Sequence, residues 1–149
     1  MITVLLVDDH AYIRKGIRHL LETTSDIEVV ATAADGIEAV TKARLHQPHV
    51  AVIDISMPLM NGIEVTRQIR ESCPQTRVLA LSIHATQAYI EDSLQAGASG
   101  YVLKEAIGNE LLEAIRALHN GRRYFSPNIA RMILTPGEDA GVSTEKNEP

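Results

Sequence analysis

Ile2-Thr3-Val4-Leu5-Leu6-Val7-Asp8-Asp9 is the stretch that decides the fold. Five of its first six residues are apolar, with none of the alternation of a strand that faces water, and two carboxylates end the run. An apolar run of this length reads as a strand buried on both faces, the habit of parallel sheets covered by helices. The unit then repeats. Ile13, Ile17, Leu20 and Leu21 fall at i, i+4, i+7 and i+8, the apolar stripe of a helix. Ile27 to Ala33 is rich in β-branched residues, and Gly36 to His46 is helix-like, with Ala39, Val40 and Ala43 on one side. Val50 to Ile53 reads as a third strand and Ile63 to Arg70 as a third helix. Val78 to Leu81 and Gly100 to Leu103 supply two more strands, separated by a weaker helix from Thr86 to Gln95. The last strong helix carries Leu111, Ile115 and Leu118, with Gly121 where a terminating glycine belongs. Alternating strands and helices of this kind predict an open α/β fold, a five-stranded parallel sheet with helices on both faces.

The 149 residues suffice for one domain, and 45% apolar with 22% charged is the balance of a globular chain. Aromatics are only 3%, so the core must be aliphatic. The net charge of -5 argues against direct binding to nucleic acid, which calls for clustered Lys and Arg. Residues 135–149 hold Glu138, Asp139, Glu145 and Glu148 against Lys146, a net of -3, and leave -2 for the body. Cys73 is the sole cysteine, so no internal disulfide is possible, and no run approaches the ~18 apolar residues of a membrane span. A cytoplasmic protein without membrane contact is the expectation. The domain is expected to cover residues 1–122. Ser126-Pro127 reads as a helix start for a short helix and linker over 123–134. The acidic stretch 135–149 buries too little to offset its ordering entropy and is expected to be a disordered linker.

Ligands of open α/β sheets bind at the carboxyl ends of the strands. There the sequence places Asp8 and Asp9 after the first strand, Asp54 after the third, Ser82 after the fourth and Lys104 after the fifth. Three converging carboxylates repel unless protonated or bridged by a cation. An all-oxygen set favours Mg²⁺ over zinc. Mg²⁺ with a lysine is suited to stabilising a transferring phosphoryl group, and an aspartate can serve as nucleophile. Phosphoryl transfer to a carboxylate is therefore the leading chemistry.

These residues, with Met57-Pro58, Gly62 and Tyr101, resemble the receiver domain of two-component response regulators over residues 1 to about 122. Val7-Asp8-Asp9-His10, Arg14-Lys15-Gly16 and Leu81-Ser82-Ile83-His84 resemble its NarL/FixJ (LuxR-type) branch. The resemblance implies a flavodoxin-like (βα)5 fold of strand order 2-1-3-4-5. It implies Asp54 as phosphoacceptor, and Mg²⁺ held by Asp8, Asp9, Asp54 and the main-chain carbonyl of Ser56. Lys104 and Ser82 would contact phosphoryl oxygens, and Tyr101 with Ser82 would form the switch. The implied partners are a sensor histidine kinase and, after phosphorylation, a second copy of the chain. DNA would be reached only through a C-terminal helix-turn-helix domain, expected past Pro149. The domain would be a regulatory phosphoacceptor, catalysing only its own phosphorylation and dephosphorylation. A single-domain receiver acting by protein contacts is the alternative output.

Two departures stand out. Glu105 occupies the position after Lys104 where the family commonly has proline, and Ile83 is larger than the usual alanine after Ser82. Ile83 is expected to narrow the path to a phosphorylated Asp54. A Mg²⁺-dependent aspartyl-phosphate phosphatase would need an acid two residues after its nucleophile. His10 and Ser56 stand at those positions instead. A flavin carrier would need a first loop that welcomes phosphate, which Asp8-Asp9 repels. His10, beside the acids, could ligate a metal but reads first as a solvated helix start; the other histidines read as surface positions and Cys73 as an inert loop residue.

Overall fold

The computed structural model describes residues 1–56 and 61–133. Met57 and Pro58 of the motif, and the acidic stretch 135–149, lie outside the described residues. Strands and helices alternate: β1 (Ile2–Val7), α1 (Ala11–Leu21), β2 (Ile27–Ala33), α2 (Gly36–His46), β3 (Val50–Asp54), α3 (Gly62–Ser72), β4 (Arg77–Ser82), α4 (Gln87–Gln95), β5 (Gly100–Leu103), α5 (Ile107–His119), β6 (Tyr124–Phe125) and α6 (Pro127–Ile133). A single 3-10 turn, Lys104–Ala106, joins β5 to α5. The sheet order is β2-β1-β3-β4-β5-β6, with every pair parallel.

Side-chain alternation along each strand splits the core in two. Val4 and Leu6 join Val52, Leu79, Leu111, Ile115 and Leu118 on the face covered by α1 and α5. Leu5 and Val7 join Ile53, Ala39, Val40, Val65 and Ile69 on the face covered by α2 and α3. A third cluster around α4, β5 and α6 includes Ile55, Ile63, Ile90, Tyr101 and Ile129. None of the described helices is long and apolar enough to cross a membrane.

The expectation of five strands needs one correction. Tyr124-Phe125, placed by the sequence in the linker, form a sixth strand, with Gly100 paired to Tyr124 and Tyr101 to Phe125. Two residues are too few for a periodicity signal, and the pairing comes from the neighbouring β5 edge. Gly121 terminates α5 as its position suggests: its φ is +82°, and Arg122 N donates to Ala117 O at 2.9 Å. Cys73 lies in the loop directly after α3 and is fully buried there, with Gln47 Nε2 3.7 Å from its Sγ.

At the edge of the sheet away from the acids, Thr3 N donates to His49 Nδ1 at 3.0 Å, and the His49 and His119 rings stand 4.7 Å apart. Burial, then the neighbouring His119 and the amino terminus, push the His49 pKa below its ordinary value of 6.5. The folded state thus keeps His49 neutral, whereas the unfolded chain protonates it, so this contribution is present above about pH 6.5 and lost as pH falls. Thermal melts from pH 8 to pH 5 should show the loss. His49→Asn, which retains an acceptor for Thr3 N, should flatten that slope.

Candidate functional site

β1 and β3 are hydrogen-bonded neighbours with Val7 opposite Ile53, so Asp8 and Asp54 emerge side by side. Both are buried, while the Asp9 side chain is 20% exposed. The Asp54 carboxylate is held at both oxygens. Oδ1 accepts from Ser56 N at 2.8 Å and Ser56 Oγ at 3.0 Å, and Oδ2 accepts from Lys104 Nζ at 2.8 Å. The same Nζ stands 3.5 Å from Asp8 Oδ2. Burial works against the Lys104 charge, but the Asp54 hydrogen bond and the Asp54 and Asp8 charges outweigh it, raising the lysine's pKa above its ordinary value.

Asp8 Oδ1 accepts from His10 N at 2.8 Å, and Arg14 Nη1 donates to Asp8 O at 2.7 Å. Asp8 Oδ2 and Asp9 Oδ1 are buried and accept no hydrogen bond. Native structures rarely leave such atoms without a partner. One ligand atom from each of Asp8, Asp9, His10 and Asp54 can be chosen so that all lie within 4.8 Å of one another. Two orphaned carboxylate oxygens beside a third carboxylate fit a hard divalent cation.

The structure therefore gathers Asp8, Asp9, Asp54, Ser56 and Lys104. Ser82 ends β4 and is buried, with its hydroxyl accepting from His84 N at 2.8 Å. Tyr101 is fully buried and packs with Ile55, Ile63 and Ile90, not against the acids; its hydroxyl donates to His84 O at 2.8 Å. Burial pushes its phenol pKa up, with the Ser82 hydroxyl pulling the other way. Ile83 is 67% exposed. Every peptide bond among the described residues is trans, including Lys104–Glu105.

His10, which the sequence sets beside the acids but ranks first as a helix start, is part of the acidic cluster. Two participants were not legible in the sequence. His84 holds Ser82 and Tyr101 through its main-chain N–H and C=O, which no side-chain pattern announces. Ser126, read only as a helix start, is buried; its Oγ accepts from Leu103 N at 3.2 Å and donates to Glu110 Oε1 at 2.7 Å.

The pocket depends on one close approach. Gly62 begins α3 against the end of β3, and a Cβ there would lie 2.4 Å from Ile55 Cα and 2.5 Å from Asp54 O. Both are backbone atoms that cannot yield without moving the Asp54 segment. Gly62→Ala should cost about 1–3 kcal/mol in urea unfolding. A midpoint within error of the wild type would contradict this reading.

Comparison with known proteins locates this arrangement. The family described as "Response regulator receiver domain" matches residues 4–116. The chain is 37% identical to the transcriptional regulatory protein DegU of Brevibacillus brevis over 133 residues, covering 89% of this chain and 56% of the relative. It is 40% identical to the response regulator UvrY of Escherichia coli over 148 residues, 99% of this chain and 66% of that protein. The chain thus spans somewhat over half to two thirds of the length of these relatives. A crystal structure of a LuxR-family two-component response regulator from Aurantimonas superposes with a TM-score of 0.82 at 42% identity, over 86% of this chain and 91% of that one.

Proposed function

The chain belongs to the response regulator receiver domain family, in its NarL/LuxR-type branch, and on that premise we propose that Asp54 accepts a phosphoryl group from a sensor histidine kinase. The supporting observation is the state of the Asp54 carboxylate: buried, gripped by Ser56 and Lys104, and beside the Asp8 carboxylate, one oxygen of which accepts no hydrogen bond. A carboxylate oxygen of Asp54 attacks the phosphorus of a phosphohistidine. The new P–O bond forms as the P–N bond breaks, and the imidazole leaves with the electron pair and takes up a proton. Ser56 and Lys104 fix the carboxylate's orientation before attack, which converts encounter into alignment. Lys104, already between two carboxylates, supplies a positive charge that a phosphoryl oxygen can share.

Mg²⁺ is the cation proposed for the pocket, held by Asp8, Asp9, Asp54 and the Ser56 carbonyl. When bound, it neutralises charge on the transferring phosphoryl group. The Ser82 hydroxyl would leave His84 N to donate to a phosphoryl oxygen. That move loosens the loop that Tyr101 also holds through His84 O, so Ser82 and Tyr101 form the proposed switch. Tyr12, 90% exposed on the first turn of α1 just beyond the acids, offers apolar area for the kinase to dock against. The output proposed is transcription, through phosphorylation-dependent dimerisation and a DNA-binding domain carried by the longer protein. The domain is regulatory, with catalysis limited to its own phosphorylation and dephosphorylation, and its place is the cytoplasm.

Incubation with a small phosphoryl donor and Mg²⁺ should add one acid-stable, base-labile phosphate. Asp54→Asn or chelation of the metal should reduce labelling at least about tenfold. Equal labelling of Asp54→Asn would overturn the assignment. In size-exclusion chromatography, beryllofluoride with Mg²⁺ should shift the chain from monomer toward dimer, and an unchanged elution volume would count against phosphorylation-driven dimerisation.

A further inference from the structure

We propose that His10 makes the acidic pocket a site for a borderline divalent cation, Zn²⁺ in particular, bound through the imidazole Nδ1 together with Asp8 and Asp9 and in competition with Mg²⁺. The inference rests on the same pocket as the phosphoacceptor reading and concerns which cations it admits.

His10 has no structural work that accounts for its ring. It stands at the N-cap of α1, where Ser, Thr, Asp or Asn would close the helix, and its side chain makes no capping bond. The side chain is 64% exposed, so it contributes little to the core. Its main chain is nevertheless fixed, because Asp8 Oδ1 accepts from His10 N at 2.8 Å. That bond brings Nδ1 over the carboxylates, 3.0 Å from Asp9 Oδ1 and 3.6 Å from Asp8 Oδ1. Adjacent ligands on a cation with bonds of about 2.1 Å are separated by roughly 3.0 Å in octahedral and 3.4 Å in tetrahedral geometry. The observed separations bracket those values.

The buried Asp8 side chain provides the independent sign of a missing ligand. Its Oδ2 accepts no hydrogen bond, and its nearest cation is Lys104 Nζ at 3.5 Å, already hydrogen-bonded to Asp54. Asp9 Oδ1, the other orphan, is the atom Nδ1 approaches most closely. A cation seated between Nδ1 and Asp9 Oδ1 would also have the buried Asp8 carboxylate beside it.

The addition of one nitrogen changes selectivity more than affinity for hard ions. Mg²⁺ prefers oxygen and gains little from imidazole, but Zn²⁺ and the later first-row ions gain substantially. A borderline ion seated by Asp8, Asp9 and His10 would occupy the place proposed for Mg²⁺ and hold back phosphoryl acceptance until it is displaced.

Isothermal titration of the full chain with Zn²⁺ and, separately, with Mg²⁺ tests the inference. Wild-type protein should bind Zn²⁺ more tightly than Mg²⁺, and excess Mg²⁺ should displace it competitively. His10→Ala should weaken Zn²⁺ at least about tenfold while Mg²⁺ changes less than about twofold. Asp9→Ala should weaken both. Unchanged Zn²⁺ binding in His10→Ala, or in Asp9→Ala, would place the ion on other histidines and overturn the proposal, as would equal losses for both ions in His10→Ala. A wild-type chain that takes Zn²⁺ but not Mg²⁺ would instead count against the Mg²⁺-dependent phosphoacceptor reading, leaving His10 as the ligand.

Discussion

Like-charge repulsion at one edge of the sheet is the constraint around which this domain is organised. Parallel strands all end on the same edge, and β1 beside β3 sets Asp8 against Asp54 with Asp9 next to them. Two unit charges about 4 Å apart interact by roughly 4 kcal/mol at the effective dielectric of a protein surface. Lys104 offsets one of three charges, so the pocket retains a deficit of two that a divalent cation matches. Much of the local architecture limits that cost. Ser56 turns two donors onto Asp54, the Lys104 ammonium stands 3.5 Å from Asp8 Oδ2, and the His10 main chain donates to Asp8 Oδ1, while Oδ2 still accepts no hydrogen bond. Gly62 lets α3 start in contact with the Asp54 carbonyl. Stability is spent here on a site that is poised for a ligand, the usual pattern at functional positions.

The fold was largely legible because β1, β3, β4 and β5 are nearly continuous buried apolar runs, β2 is rich in β-branched residues, and each major helix carries its stripe. The acids and Lys104 were legible for a related reason: polar residues directly after such runs must lie at the strand ends. What was hidden depended on contacts that leave no periodic trace. β6 is two residues long and exists because the β5 edge was open to pairing. His84 acts through its backbone, so its imidazole says nothing about its role in holding Ser82 and Tyr101. Cys73 is the loop residue that Pro74 announces, but its burial among Val65, Ile69 and Val78 leaves no trace in the sequence. For His10 the sequence offers both a helix start and a metal ligand, and the direction of its ring, a property of packing, bears on which.

The C-terminal segment is tied to the strand that delivers Lys104. Ser126 N donates to Tyr101 O at 3.0 Å, and Ser126 Oγ accepts from Leu103 N, one residue before Lys104, while reaching Glu110 on α5. Ile129 of α6 is buried in the same cluster as Tyr101 and Leu103. A change of charge at Asp54 acts first on Lys104, whose ammonium it contacts at 2.8 Å. Any shift of that lysine's backbone is felt directly at the Leu103–Ser126 bond and thence at α6. The distance from the acidic pocket to α6 is therefore short, and it includes a buried hydrogen bond, Leu103 N to Ser126 Oγ, that is costly to leave unpaired. A contiguous path of this kind transmits only if its end has two arrangements; the structure holds one, in which the single Ser126 hydroxyl joins Leu103 on β5 to Glu110 on α5.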